Sequence, residues 1–143
     1  MTMADNLATW FHLARPEELQ SETVWRTQQR WREVYSSALH SETGRWTYRG
    51  YDWHTFSYGF SPSISGRDAE EEARKSLPGD VWILADVGNV RQWGRRGFLE
   101  SFSLPPARED IIVAPLDLSW TLTLTHDRDH GPYFSRRIWM EPA

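Results

Sequence analysis

A chain of 143 residues, with 39% hydrophobic residues, 25% charged residues and a formal charge of −4, has the size and balance of a single globular domain that buries roughly 70% of its unfolded surface. The absence of cysteine excludes a disulfide framework and a thiolate metal site, and no apolar run reaches the roughly 18 residues of a membrane helix. The negative charge disfavours a nonspecific grip on nucleic acid and suits a basic partner, while nine Trp, six Phe and five Tyr exceed what so small a core needs and favour a recognition surface.

Met1 to Trp10 lacks a basic region followed by an apolar one, so no secretory signal is expected and the cytoplasm is the natural compartment. Leu7 to Leu13 reads as a short helix opening on Asp5 or Asn6. A longer helix is expected from Arg15-Pro16-Glu17-Glu18 to about Leu39, because proline and two carboxylates suit a first helical turn. Val24, Gln28, Trp31, Val34, Tyr35 and Ala38 recur at three- and four-residue spacing and form its packing stripe. Ser41-Glu42-Thr43-Gly44 ends it. The aromatic, glycine-punctuated stretch Arg45 to Phe60 reads as a broken strand or hairpin, which would place Asp52 and His54 side by side on one face. A carboxylate beside an imidazole can orient a general base, although an exposed pair at this spacing is more often without a role.

Ser65-Gly66-Arg67-Asp68 is a capping-box variant that opens a helix to about Leu77, closed by Pro78-Gly79. Ala69, Ala73 and Leu77 form its inner face, with Glu70–Arg74 and Glu71–Lys75 pairs outside. Asp68, Glu70, Glu71 and Glu72 make the densest negative patch in the chain, and they are candidate contacts for a basic partner. Asp80 to Val87 reads as a central strand, and Gly88-Asn89 as a turn. Arg91, Arg95 and Arg96 cluster around Trp93 between two glycines and could hold an anion, without matching any phosphate-loop spacing. Asp110 to Ala114 is another short buried strand that Pro115 ends.

The strand Leu118 to Thr125, the turn Asp127 to Pro132 and the strand Tyr133 to Met140 make an antiparallel hairpin. Bulky residues alternate with threonines from Trp120 to Thr125, predicting one buried and one polar face. His126 shares the parity of Trp120, Leu122 and Leu124, and it sits where the strand runs out. Trp120, Thr121, Thr125, His126, Asp127, Gly131, Pro132, Tyr133 and Phe134 together resemble the C-terminal signature of small uncharacterised bacterial proteins, W-T-x-x-x-T-H-D/E followed by G-P-Y-F. The resemblance covers Leu118 to Phe134, has weaker support at Tyr51 to His54 and Asp110 to Val113, and stops short of the N-terminal third. Some proteins with such tails accompany toxin loci as candidate immunity proteins, so the resemblance implies a cognate toxin as partner.

Three roles compete for His126. It can be satisfied structurally by a backbone carbonyl. It can line a polar notch with Asp127, joined by His54 and Asp52 across the sheet, for binding or for acid-base chemistry. It can also join Asp127, Asp129 and His130 around a metal, although adjacent turn residues diverge and the helical spacing of a zinc motif is missing. No nucleophile elbow, Walker loop or dinucleotide fingerprint supports a standard enzyme, and no cofactor is expected. The fold expected is α+β, with N-terminal helices on a mainly antiparallel sheet that ends in the C-terminal hairpin. The function expected is occlusion of a bacterial toxin, with Asp68, Glu70, Glu71, Glu72, His126 and Asp127 as contacts. A small enzyme using His126 with Asp127, or His54 with Asp52, is the alternative.

Overall fold

The computed structural model describes residues 10–85, 93–104, 110–127 and 129–141. Its strands are β1 (Phe11–Glu18), β2 (Ile64–Ser65), β3 (Gly79–Ala85), β4 (Gly94–Phe102), β5 (Ile111–Pro115), β6 (Trp120–Leu124) and β7 (Tyr133–Arg136). They form one antiparallel sheet in the order β1-β4-β3-β5-β6-β7-β2. The helices are α1 (Ser21–Tyr35), α2 (Ser37–Thr43), α3 (His54–Ser57) and α4 (Gly66–Lys75), and a 3-10 turn (Arg137–Met140) follows β7. The α+β expectation is therefore met. Among the described residues no helix is long and apolar enough to cross a membrane.

Both faces of the sheet are covered. Successive residues of β5 divide between the two, Ile111 and Val113 packing with Ala69 and Ala73 of α4, and Ile112 and Ala114 packing with Val24, Trp31 and Tyr35 of α1. Such a strand must be apolar on both sides, which is why the sequence reads as a continuous hydrophobic run. The prediction that β6 has a polar face fails for the same reason. Thr121, Thr123 and Thr125 are all buried, with Trp31 of α1 packed on Thr121. The Thr121 hydroxyl accepts the Trp31 indole N–H at 2.9 Å and donates to the Val113 carbonyl at 3.0 Å, so a polar side chain serves there as a joint between helix and sheet.

Two N-terminal expectations are corrected. Phe11 to Leu13 belong to β1 rather than to a helix, while residues 7–9 lie outside the described residues. Pro16, Glu17 and Glu18 continue that strand, with Glu17 opposite Arg96 and Glu18 opposite Arg95 on β4, and α1 begins only at Ser21. Carboxylates that suit a helix start also suit a cross-strand position facing arginine, and pairing with β4 decides between them. The long helix also breaks at Ser36, so that Leu39, rather than the exposed Ala38, is buried from α2.

Residues 45–60 form no hairpin. They make a loop with a single bridge, Tyr48 to Tyr51, and then the one-turn helix α3. The anchor is Asp52, only 1% exposed, which accepts Gln28 Nε2 and Arg32 Nε at 2.7 Å each and Arg32 Nη2 at 3.2 Å. Asp52 and His54 consequently do not share a strand face. Thr55 and Ser61 tie the far side of the loop to the Tyr35 carbonyl.

The predicted helix at Ser65 forms as α4, without the side-chain cap bond that the capping box implies. The hairpin β6–β7 forms as expected, although its second strand ends at Arg136 and Arg137 to Met140 turn into the 3-10 helix. The Gly88-Asn89 turn lies outside the described residues.

Candidate functional site

Pairing of Ile111 with Leu124 aligns the start of β5 with the end of β6, and so sets Asp110 beside the residues where the chain leaves the sheet. One Asp110 oxygen accepts the backbone N–H of His126 at 3.0 Å and the Trp53 indole N–H at 2.9 Å. The His126 ring meets the same carboxylate through Nδ1, 2.9 Å from Oδ1 and 3.0 Å from Oδ2. Facing a carboxylate, Nδ1 has to donate, which leaves the lone pair of a neutral ring on Nε2. The His126 side chain is 51% exposed while that of Asp110 is 14% exposed, so an outward imidazole is held by a mostly covered acid.

The turn that follows is organised by its own polar groups. Thr125 Oγ1 donates toward the Asp127 and His130 carbonyls at 2.9 and 2.6 Å. Asp127 accepts the Asp129 backbone N–H at 2.9 Å and faces His130 Nδ1 at 2.8 Å. Those two contacts, the Asp129 N–H first, hold the Asp127 carboxyl below its usual range. The expected partnership of His126 with Asp127 is therefore corrected, since Asp110 serves His126 and His130 serves Asp127. Among the described residues no three His, Asp or Glu side chains are grouped to hold a metal ion, and these separate pairings divide the donors of the turn.

The 45–60 loop supplies an aromatic sheet of rings next to this turn. Trp53, 3% exposed, lies 4.1 Å from the His54 ring, 6.0 Å from His126 and 6.2 Å from His130, centroid to centroid. Tyr51 bridges His54 at 5.7 Å and His126 at 5.2 Å. Further out, Tyr58 packs on His54 at 5.1 Å and on Tyr48 at 4.8 Å, with the Arg49 guanidinium over both tyrosine rings. Three histidines and five aromatic or cationic neighbours from two chain segments thus converge on one face. Trp53 and Asp110, which hold the two segments together, were not singled out from the sequence. The β5–β6 register was the signal that could have found Asp110.

His54 is coupled to this environment. Burial chiefly, then Arg49, His126 and His130, lower its pKa from the ordinary 6.5, with Asp110 opposing. A depressed folded pKa means the unfolded chain binds the proton more tightly, so this contribution to stability is present above pH 6.5 and is lost as pH falls toward the folded value. Replacing His54 with Gln is expected to flatten the decline in urea midpoint between about pH 7.5 and about pH 5 relative to the parent chain. An unchanged decline would assign it to other groups.

The acidic helix stands apart from this face. Ala69 and Ala73 pack α4 against the side of the sheet opposite to the one that holds Trp53 and Tyr133. Glu70 binds Arg74, and Glu72 binds Lys75 at 3.3 Å and Arg136 at 3.2 Å, so the expected Glu71–Lys75 pair is replaced by Glu72–Lys75. Asp68 and Glu71 are exposed. The predicted contact set is therefore split between two faces. The arginine cluster is split as well. Arg95 and Arg96 are consecutive in β4 and point to opposite sides, Arg95 over the Trp93 ring and Arg96 over Trp82, while Arg91 lies outside the described residues.

Among characterised proteins and solved structures, none matches the chain. A family model described as Domain of unknown function (DUF4275) matches residues 17–134, a span that includes every residue of the ring-covered face.

Proposed function

Because the chain belongs to the DUF4275 family, whose description names no activity, we propose a function from the face itself: the protein binds a protein partner through the rings around Trp53. Most concretely, it is an immunity protein acting in the cytoplasm that neutralises a bacterial toxin by covering it. The supporting observation is the convergence of Tyr48, Tyr51, Trp53, His54, Tyr58 and His126 on one face, with Tyr58 48% exposed. Rigid amphipathic rings gain contact area with little loss of side-chain freedom, and Tyr, Trp and Arg dominate binding hot spots. Asp127, with its carboxyl kept ionised, and the exposed Asp68 and Glu71 of the acidic helix would speed encounter with a basic toxin from their separate faces.

The test is native mass spectrometry of the purified chain with the purified product of each adjacent gene. A stable complex is expected, and Tyr58→Ala is expected to weaken it by about 2 kcal/mol, roughly thirtyfold, without changing the melting temperature. If no neighbouring product binds, the toxin-immunity reading fails.

One observation favours a second reading, acid-base catalysis. Asp110 orients His126 as a carboxylate orients the histidine of a hydrolytic triad, leaving Nε2 to take a proton, and His54 stands across Tyr51 from it. Two variants separate the readings. Catalysis would be lost in His126→Ala and kept in Tyr58→Ala, whereas occlusion depends on Tyr58.

A further inference from the structure

A second site borders the ring-covered face and is independent of any protein partner. The helix α2 ends left-handed at Gly44, with φ 75°, and Thr43 Oγ1 accepts the Arg45 backbone N–H at 3.1 Å while donating to the Leu39 carbonyl at 2.9 Å. Arg45 is thereby fixed where the chain leaves the helix. Further on, Arg49 and Gly50, at φ 52° and 88°, turn the chain tightly between the bridged Tyr48 and Tyr51. A pocket of about 320 Å³ spans the two turns, with Thr43, Arg45, Thr47, Tyr48, Arg49 and Gly50 as its walls.

The charge of this pocket is one-sided. Two other polar pockets that hold a pair of arginines each contain an acid as well: Glu33 stands with Arg30 and Arg137, and Asp117 and Glu141 stand with Arg136 and Arg137. The pocket at Arg45 and Arg49 has no acid in its walls, and among the described residues neither arginine forms an ion pair with a carboxylate. The acids nearest in sequence are elsewhere, Glu42 on α2 outside the walls and Asp52 buried against Gln28 and Arg32. Two guanidiniums that share a pocket repel each other until an anion joins them. Arg49 is also held there against local preference. A turn with two left-handed residues favours Asn and Gly, and another side chain at such a φ carries a strain of about 1 kcal/mol. Its guanidinium rests over the Tyr48 and Tyr58 rings, 5.7 and 5.5 Å from their centroids, so it is oriented before any ligand arrives.

We propose that this pocket binds the phosphoryl dianion of a small phosphomonoester, with the Arg45 and Arg49 guanidiniums and the Thr47 hydroxyl donating to its terminal oxygens. Three such oxygens in a tetrahedral array serve two guanidinium forks, whereas the two oxygens of a planar carboxylate are filled by one. Size supports the assignment. At ~30 Å³ per water molecule the space equals about ten waters, more than an inorganic phosphate fills, which leaves room beside Tyr48 for the first atoms of the esterified group.

The full-length chain, labelled with nitrogen-15 and kept in phosphate-free buffer at constant ionic strength, is titrated separately with ribose 5-phosphate, inorganic phosphate, ribose and succinate. Ribose 5-phosphate is expected to move the assigned Gly50 backbone N–H resonance and to bind more tightly than inorganic phosphate. Arg45→Gln, and Arg49→Asn, which preserves the left-handed turn, are each expected to weaken its binding about fivefold or more. Both arginines are exposed, so neither change disturbs the core. Arg137→Gln, which takes an arginine from the two acid-containing pockets, is expected to leave the titration unchanged. Succinate or ribose acting as strongly as ribose 5-phosphate, inorganic phosphate binding as tightly, or equal weakening by Arg137→Gln would each overturn the assignment. So would unchanged binding in Arg45→Gln or Arg49→Asn, or a Gly50 resonance that neither phosphate moves.

Discussion

Asp52→Ala is expected to destabilise the fold by about 3–5 kcal/mol, read as a lowered urea midpoint at unchanged slope. The carboxylate is 1% exposed and receives three hydrogen bonds from two side chains of α1. Its removal leaves the Arg32 guanidinium, with a side chain only 13% exposed, covered and unpaired. It also strips the last partner from the amide of Gln28, whose Oε1 already has none. The cost comes from these abandoned donors more than from the lost attraction, so Asp52→Asn, which keeps an acceptor in place, is expected to cost clearly less. Against a total stability of roughly 5–15 kcal/mol, the alanine change would consume a large share. A cost below about 1 kcal/mol would show that the loop is anchored elsewhere. Because Trp53 is the next residue, the same variant would also loosen the ring-covered face.

Trp31→Ala is expected to cost a comparable 3–5 kcal/mol, through a different mechanism. Trp31 is fully buried between α1 and the sheet, edge-on to Phe56 at 6.0 Å and close to Tyr35 at 5.3 Å. Truncation opens a cavity that the rigid β5 and β6 strands cannot close. Trp31→Phe retains most of the packing and removes only the bond to Thr121, whose hydroxyl still donates to Val113, so a loss of about 1–2 kcal/mol is expected. Equal losses in the alanine and phenylalanine variants would mean that the hydrogen bond, and not the volume, carries the effect.

Elements whose burial matches their local pattern could be read from the chain. β3, β5, β6 and α4 announce themselves by continuous apolar runs or by a helical period with paired charges. β1 does not. Its sequence, F-H-L-A-R-P-E-E, has no alternation because it is an exposed edge strand held mainly by its backbone pairing with β4. The 45–60 loop misleads for the opposite reason. Its aromatic density imitates a strand, yet Tyr48 and Tyr58 stack on each other, and Tyr51 and Tyr58 pack against histidines at the rim of the core. At the candidate site His126 stood out, as the titrating residue that ends an apolar alternation. Its partner did not, because Asp110 is 16 residues away and reaches it only through the register of β5 with β6. The nearer Asp127 was the plausible choice by sequence distance alone, and it is taken by His130.

The two outer strands also limit how any partner can attach. At one edge β2 is two residues long; at the other, β1 carries two pairing irregularities, a left-handed Arg15, a proline without an N–H, and the exposed Glu17 and Glu18. Neither edge presents the long, flat row of backbone groups on which another polypeptide could zip up as an extra strand. Copies of the chain are thereby discouraged from stacking into fibrils, and a guest protein is left to dock on side chains, where selectivity is written in residue identity rather than in main-chain hydrogen bonds.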